Sequence, residues 1–278
     1  MYKTILVHVD ETARSAHRSD VAARLALLND AHLVGAAMTG LPAFLLPVGG
    51  VQAGLQVAGL PVAELRAEAN RSLDLFETTA RRAGASAIER RCLDDEPGMG
   101  MSMQARYCDL VVISQSAPDE FLPRLRPDFP DYVVLNAVRP VLVLPARGAG
   151  GSLGQRITVA WNASAEAARA ITSALPMLQR AQQVDLVVFD PAGAGDLHGA
   201  DPGADIALYL ARHGVRVDVT VQGAGTDEGQ SLLAFAAGKN ADLIVMGAYG
   251  RSRFREILLG GMTRSMLATS AIPLWMAH

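Results

Sequence analysis

Short apolar runs alternate along the chain with longer stretches whose apolar residues recur every three to four positions. The runs lie near residues 3–9, 32–38, 86–92, 109–114 and 140–145, then near 156–161, 183–189, 215–221, 242–246 and 272–277. Between them the spacing predicts helices near 13–29, 62–83, 97–106 and 128–137, then near 164–181, 202–213, 227–238 and 261–269. Apolar strands separated by helices indicate a parallel sheet covered on both faces, so the pattern predicts an α/β fold. In open sheets of that kind, ligands bind beyond the carboxyl ends of the strands, near the switch in strand order.

The pattern also repeats. Ile5–Thr12 and Ile157–Ser164 each run from an apolar strand to Asp or Asn, with a hydroxyl residue two positions on. Thr12 and Ser164 are predicted N-caps, because a side-chain oxygen there can accept from the first free helix amides. The endings match as well: Asp109-Leu110-Val111-Val112 with Asp242-Leu243-Ile244-Val245, and Pro140-Val141-Leu142 with Pro273-Leu274-Trp275. Asp109 to Pro140 and Asp242 to Pro273 are both intervals of 31 residues. A tandem duplication follows, with domains at 1–146 and 156–278 and a Gly-rich linker at 147–155. Each domain is expected to hold a parallel five-stranded sheet flanked by helices. The strands Val141–Pro145 and Ile272–Ala277 are candidates for pairing with each other, since bare edge strands invite association.

Composition narrows the function. The chain has 278 residues, 50% hydrophobic and 19% charged, which is globular and long enough for two domains. A net charge of -3 gives no global case for nucleic acid. Cys92 and Cys108 lack metal-ligand spacing, as do the six histidines, so a reducing compartment with buried thiols is expected. His8, mid-strand, reads as a packed core group. Met1 leads almost directly into the first strand, without a visible signal peptide. Leu41–Ala63 carries no charge, but three prolines, four glycines and the lack of anchoring flanks argue against a membrane span. It reads as a loop packed on a partner domain or subunit, with a lid or apolar pocket as the alternative. Asp94-Asp95-Glu96 marks a helix start. No nucleophile–base–acid set is visible, and nothing like G-x-S-x-G surrounds Ser114 and Ser116.

The densest signal is at the end. Gly247 closes an apolar run; Gly250 follows, then a loop with Arg251, Arg253 and Arg255, then Gly260-Gly261 before a helical pattern. Strand, glycine-bearing loop and helix start suit phosphate, because glycine admits close approach and the first helix amides favour negative charge. It is not a P-loop: Leu233 and Asn240 stand where Gly and Ser or Thr would flank Gly238-Lys239. Nor does any G-x-G-x-x-G follow a strand.

The spacing resembles the C-terminal signature of the universal stress protein family, G-x2-G-x9-G-[S/T]. GAYGRSRFREILLGGMTRSML matches it, except that Gly261 stands where the family has Ser or Thr. The resemblance implies Rossmann-like, HUP-type domains, here two packed as an intramolecular pseudo-dimer, with an ATP site in some members and dimers. Carried onto this chain, it implies a nucleotide site of Trp161, Asn162, Gly247, Ala248, Gly250, Arg251, Gly260, Gly261, Met262 and Thr263. Asn162 replaces the family's usual Asp and would reach base or sugar, but cannot help neutralise a metal ion. ATP is the expected ligand, with Mg2+ left open. The arginines would compensate a triphosphate or simply form a solvated face. Thr263 would face solvent or a neighbouring carbonyl, or supply a hydroxyl to phosphate. Any hydrolysis would be slow, for want of a base or metal-binding acid. The expected role is regulatory or protective, in the cytoplasm, with a homodimer and protein partners beside the nucleotide, and no nucleic acid or membrane.

The repeat supplies an internal comparison. An offset of 133 sets Ser114, Ala117, Pro127 and Asp128 opposite Gly247, Gly250, Gly260 and Gly261. The first half has therefore lost the glycines and is expected not to hold phosphate. Asp10 keeps the family's acid there. Two other readings remain: an interaction module that binds no nucleotide, and a generic α/β enzyme or flavin-type binder.

Overall fold

A computed structural model describes residues 1–41, 62–116, 127–146, 151–189, 201–223, 227–250 and 261–278. Contacts divide the chain into two compact units, Met1–Val133 with Ala137–Arg139, and Val134–Asn136 with Pro140–His278. Both are α/β, with largely parallel strands flanked by helices. Most of the segment Leu41–Ala63 lies outside the described residues, as does Ala117.

The first unit contains β1 (Thr4–His8), β2 (His32–Met38), β3 (Ile88–Leu93) and β4 (Leu110–Ser114), in the order β3-β2-β1-β4, all pairings parallel. Its helices are α1 (Ala13–Asn29), α2 (Val62–Arg82) and α3 (Pro97–Gln104), while α4 (Phe129–Asn136) straddles the division between units. Ile5, Leu6, Val7, Leu33 and the run Leu110–Ile113 are almost fully buried, as expected of strands covered on both faces. α3 starts where the acidic run predicts. The Glu96 carboxylate accepts from the amides of Gly98 and Met99, at 3.0 and 2.9 Å. A short 3-10 turn, Ala105–Tyr107, ends this helix earlier than its periodicity indicates.

The second unit contains β5 (Val141–Leu144), β6 (Arg156–Ala160), β7 (Gln183–Phe189), β8 (Asp218–Gln222), β9 (Leu243–Gly247) and β10 (Leu274–Ala277). Their order is β5-β10-β9-β6-β7-β8. Every pairing from β10 to β8 is parallel. β5 pairs antiparallel with β10, Leu142 opposite Trp275, so the two candidate edge strands do meet. The helices here are α5 (Ala165–Leu178), α6 (Ala204–Arg212), α7 (Glu228–Gly238) and α8 (Met262–Thr269).

The order β3-β2-β1-β4 recurs as β8-β7-β6-β9. So does a device that sets the strands in register. Asp109 Oδ2 accepts from the amides of Lys3 and Thr4, at 2.7 and 3.0 Å. Asp242 accepts from the amides of Gly154, Gln155 and Arg156, each at 3.0 Å. The repeated Asp is thus a clamp at the amino ends of the strands, away from the ends where ligands bind. Charge-assisted bonds of this kind are the stronger ones.

The predicted caps divide. Ser164 accepts from the Ala167 amide at 3.1 Å and caps α5. Thr12 does not cap α1. Its hydroxyl donates to Asp10 Oδ1 at 2.6 Å, and that carboxylate also accepts the Thr12 amide at 3.0 Å. Donation to the ionised Asp10 holds the Thr12 side chain toward the carboxylate, and its oxygen accepts from no helix amide.

Candidate functional site

In the second unit, strand order reverses between β6 and β9. The chain leaving β6 and the chain leaving β9 therefore border one crevice, the position where open α/β sheets take ligands. Trp161 continues the β6 ladder, donating from its amide to the Val187 carbonyl at 2.9 Å. Asn162 is exposed, and its Oδ1 accepts from the Ser164 amide at 3.2 Å, forming a tight turn into α5.

Gly247, at the end of β9, lies against the first turn of α5. A Cβ there would stand 2.5 Å from the Ala167 amide nitrogen and 2.8 Å from the Glu166 carbonyl carbon. Backbone cannot yield as a flexible side chain can. Gly247→Ala is therefore expected to cost about 1–3 kcal/mol in urea denaturation, through overpacking. Among the described residues, a Cβ on Gly250 would instead stand 3.2 Å from Glu166 Oε2, with Ser164 Cβ at an ordinary 3.8 Å.

Between these glycines, the polar groups turn inward. The Ala248 amide donates to the Ala277 carbonyl at 2.9 Å, and the Ala248 carbonyl lies 3.0 Å from His278 Nδ1. Tyr249 adopts φ 54° and donates its amide to Thr263 Oγ1 at 3.2 Å. Thr263 is 2% exposed, so its hydroxyl ties the loop to α8 rather than facing solvent. Gly261 is the residue at the N-terminal end of α8, which has no side-chain cap, and Met262 opens the helix. With φ −58°, Gly261 needs no glycine conformation, and loss of the family's hydroxyl entails no backbone strain here. Arg251 and Gly260 lie outside the described residues.

The ends of β6 and β9 thus bring Gly247 and Gly250 against the turn of Asn162, Ser164 and Glu166, and Thr263 is bonded to the Tyr249 amide, while Ala248 between the glycines is fully buried. Sequence reading missed Tyr249 and Glu166. Tyr249 carries no local signal for positive φ. Glu166 stands in an ordinary acidic first turn of a helix, and only its distance from Gly250 sets it apart.

The matching end of the first unit is built differently. Arg18 of α1 is 1% exposed, and its guanidinium lies between β1 and β4. Nε donates to the His8 carbonyl at 2.5 Å, Nη1 to Ser114 Oγ at 2.9 Å, and Nη2 pairs with Asp10 Oδ2 at 3.0 Å. Arg14 Nη1 donates to the Gln115 carbonyl at 2.6 Å. Two of the protein's own cations therefore hold the carboxyl end of β4 and the residue after it. Burial disfavours the Asp10 charge, but Arg18, His8 and two bonds from Thr12 together hold its carboxyl well below the usual range. His8 packs on Phe129, rings 4.7 Å apart, as a core group. Desolvation takes its pKa down to about 4, and Arg18 adds to this while Asp10 opposes it.

A cleft of about 480 Å³, open mouth included, remains at the ends of β1 and β2. Its lining includes Asp10, Glu11 and Glu68 beside Met38, Leu65 and Pro97, a carboxylate-rich wall that repels phosphate. Among the described residues no group of His, Cys, Asp and Glu is placed to hold a metal ion. None of the described helices is long and apolar enough to cross a membrane.

An open, mostly parallel sheet with a glycine-bearing crevice at its switch point defines a doubly wound α/β protein. Residues 154–278 match the universal stress protein family, so the C-terminal region is a universal stress protein domain. A universal stress protein from Archaeoglobus fulgidus DSM 4304 is similar over 99% of this chain and 95% of its own, at 16% identity and a TM-score of 0.71. A putative universal stress protein from Pseudomonas aeruginosa UCBPP-PA14 is similar over 99% and 93%, at 16% identity and 0.63. At such identity the shared property is the fold. A universal stress protein in complex with cAMP is 23% identical over 51% of this chain and 95% of its own; its TM-score of 0.37 locates no site here. No curated protein matches the chain.

Proposed function

We propose that the C-terminal domain binds an adenine nucleotide, ATP in the first instance, in a regulatory or protective role during stress. The observation that supports this reading is the reversal of strand order between β6 and β9 within the matched family region, with Gly247 and Gly250 at the end of β9 and the Tyr249 amide bonded to Thr263 of α8. Asn162 would reach base or sugar, Gly247 and Gly250 would admit ribose and phosphate, and the amides of Met262 and Thr263 would face phosphate. Arg251, Gly260 and Gly261 would complete the phosphate side, and Trp161 the base side. The role is binding rather than turnover. The same reading treats residues 1–146 as a domain that has lost phosphate binding, joined through 147–155, in a cytoplasmic protein that forms homodimers.

Native mass spectrometry of the purified protein, followed by ATP titration, tests the proposal: one nucleotide per chain is expected. Gly250→Val should weaken binding at least ~10-fold, equivalent to ~1.4 kcal/mol. A Cβ at Gly250 meets a carboxylate tip rather than backbone, so the fold should persist and its thermal transition remain intact. Two equivalent sites per chain, or wild-type affinity in the folded variant, would move the site elsewhere. An interaction module without nucleotide is favoured by one feature, the use of the Ala248 amide and the Thr263 hydroxyl inside the protein. Absence of any bound or titratable nucleotide would select it.

A further inference from the structure

The two units differ in charge at one matched position beside the crevice. The offset of 152 that aligns Asp10 with Asn162 aligns Arg14 with Glu166. In the first unit Arg14 reaches the loop after β4 as a cation. In the second, Glu166 brings a carboxylate to the loop after β9. Its Oε2 lies 3.2 Å from the Cβ position of Gly250, and its Cβ lies 2.9 Å from that of Gly247. The side chain is only 17% exposed. Oε1 accepts from Arg169 Nη2 at 2.8 Å, while Arg169 Nε donates to the His278 carbonyl at 3.0 Å. Arg169 is half exposed, so water screens much of its compensation.

A carboxylate held there opposes negative charge at the glycine loop. Its effect grows with the number of phosphates brought to it, and a divalent cation between carboxylate and phosphate reverses its sign. We propose that Glu166 sets the charge the crevice accepts, selecting nucleoside monophosphate over metal-free triphosphate and making ATP binding depend on a divalent cation. This rests on the nucleotide reading of the crevice. It assigns to Glu166 a discrimination against each added phosphate, opposing the preference for triphosphate that the nearby arginines would supply.

The test uses the full chain, wild type and Glu166→Gln, titrated calorimetrically with AMP and with ATP, in chelator and again in Mg2+. Wild type in chelator should bind AMP at least ~10-fold more tightly than ATP. Mg2+ should narrow that gap. Glu166→Gln should narrow it in chelator and remove the Mg2+ dependence. Glu166→Ser serves equally if the Gln variant does not fold. Should both nucleotides bind while neither variant changes the AMP-to-ATP ratio, the role of Glu166 is overturned and the site stands. Failure of wild type to bind either nucleotide under both conditions overturns the site reading itself, and the selectivity with it.

Discussion

Arg18→Met is expected to lower stability by about 3–5 kcal/mol, the largest effect of any single substitution considered. Methionine keeps most of the apolar stem but removes the guanidinium. The His8 carbonyl and Ser114 Oγ then lose their donors. Asp10, whose side chain is 14% exposed, loses its cationic partner while still excluded from most water. An uncompensated buried charge costs far more than the original pair contributed. Asp10→Asn in the Arg18→Met background should therefore recover part of the loss, since the pair then disappears together. Urea denaturation followed by far-UV circular dichroism at neutral pH measures both. A loss below about 1 kcal/mol would mean that water reaches Asp10 and solvates it adequately.

Acidification from pH 6.5 to pH 4 should destabilise the protein by about 3 kcal/mol through His8 alone. The folded imidazole titrates at about 4 because burial disfavours its cation. An unfolded histidine titrates near the ordinary value of about 6.5. Between those values the unfolded chain binds more protons than the folded one, so stability rises with pH across the window and falls as pH is lowered. Asp10 behaves differently. Its folded pKa is depressed, so its contribution is present above the ordinary carboxylate range of about 4 and disappears only in stronger acid. Glu77, Glu89 and Asp94, each held below the ordinary carboxylate range by an arginine, add to the slope near pH 4. Above about pH 5 the slope belongs chiefly to His8, and His8→Asn should flatten it there even if that variant is less stable at every pH. Denaturation midpoints across the window provide the measurement. An unchanged slope in the variant would place the titrating group elsewhere.

Much of the architecture was legible in the chain. Periodicity located the alternating strands and helices because buried faces recur every two or about four residues whatever the distant partners. The pairing of β5 with β10 was also visible, since both end their repeats as short apolar strands after proline. The glycine spacing led to the family that the C-terminal region matches. Repetition even marked Asp109 and Asp242 as equivalent, although nothing local showed that they clamp strand starts.

What the sequence left open concerned polar side chains with several partners in range. Thr12 reads as a cap from its position, but its hydroxyl goes to a buried carboxylate. Thr263 reads as a surface helix-start residue, but its hydroxyl meets an amide fourteen residues away. Glu166 reads as an ordinary first-turn acid, yet lies against Gly250, eighty-four residues along the chain. Local spacing fixes which face of an element is apolar. The choice among competing hydrogen-bond and charge partners depends on separations between elements remote in sequence, and only the packed sheet and its helices set those distances.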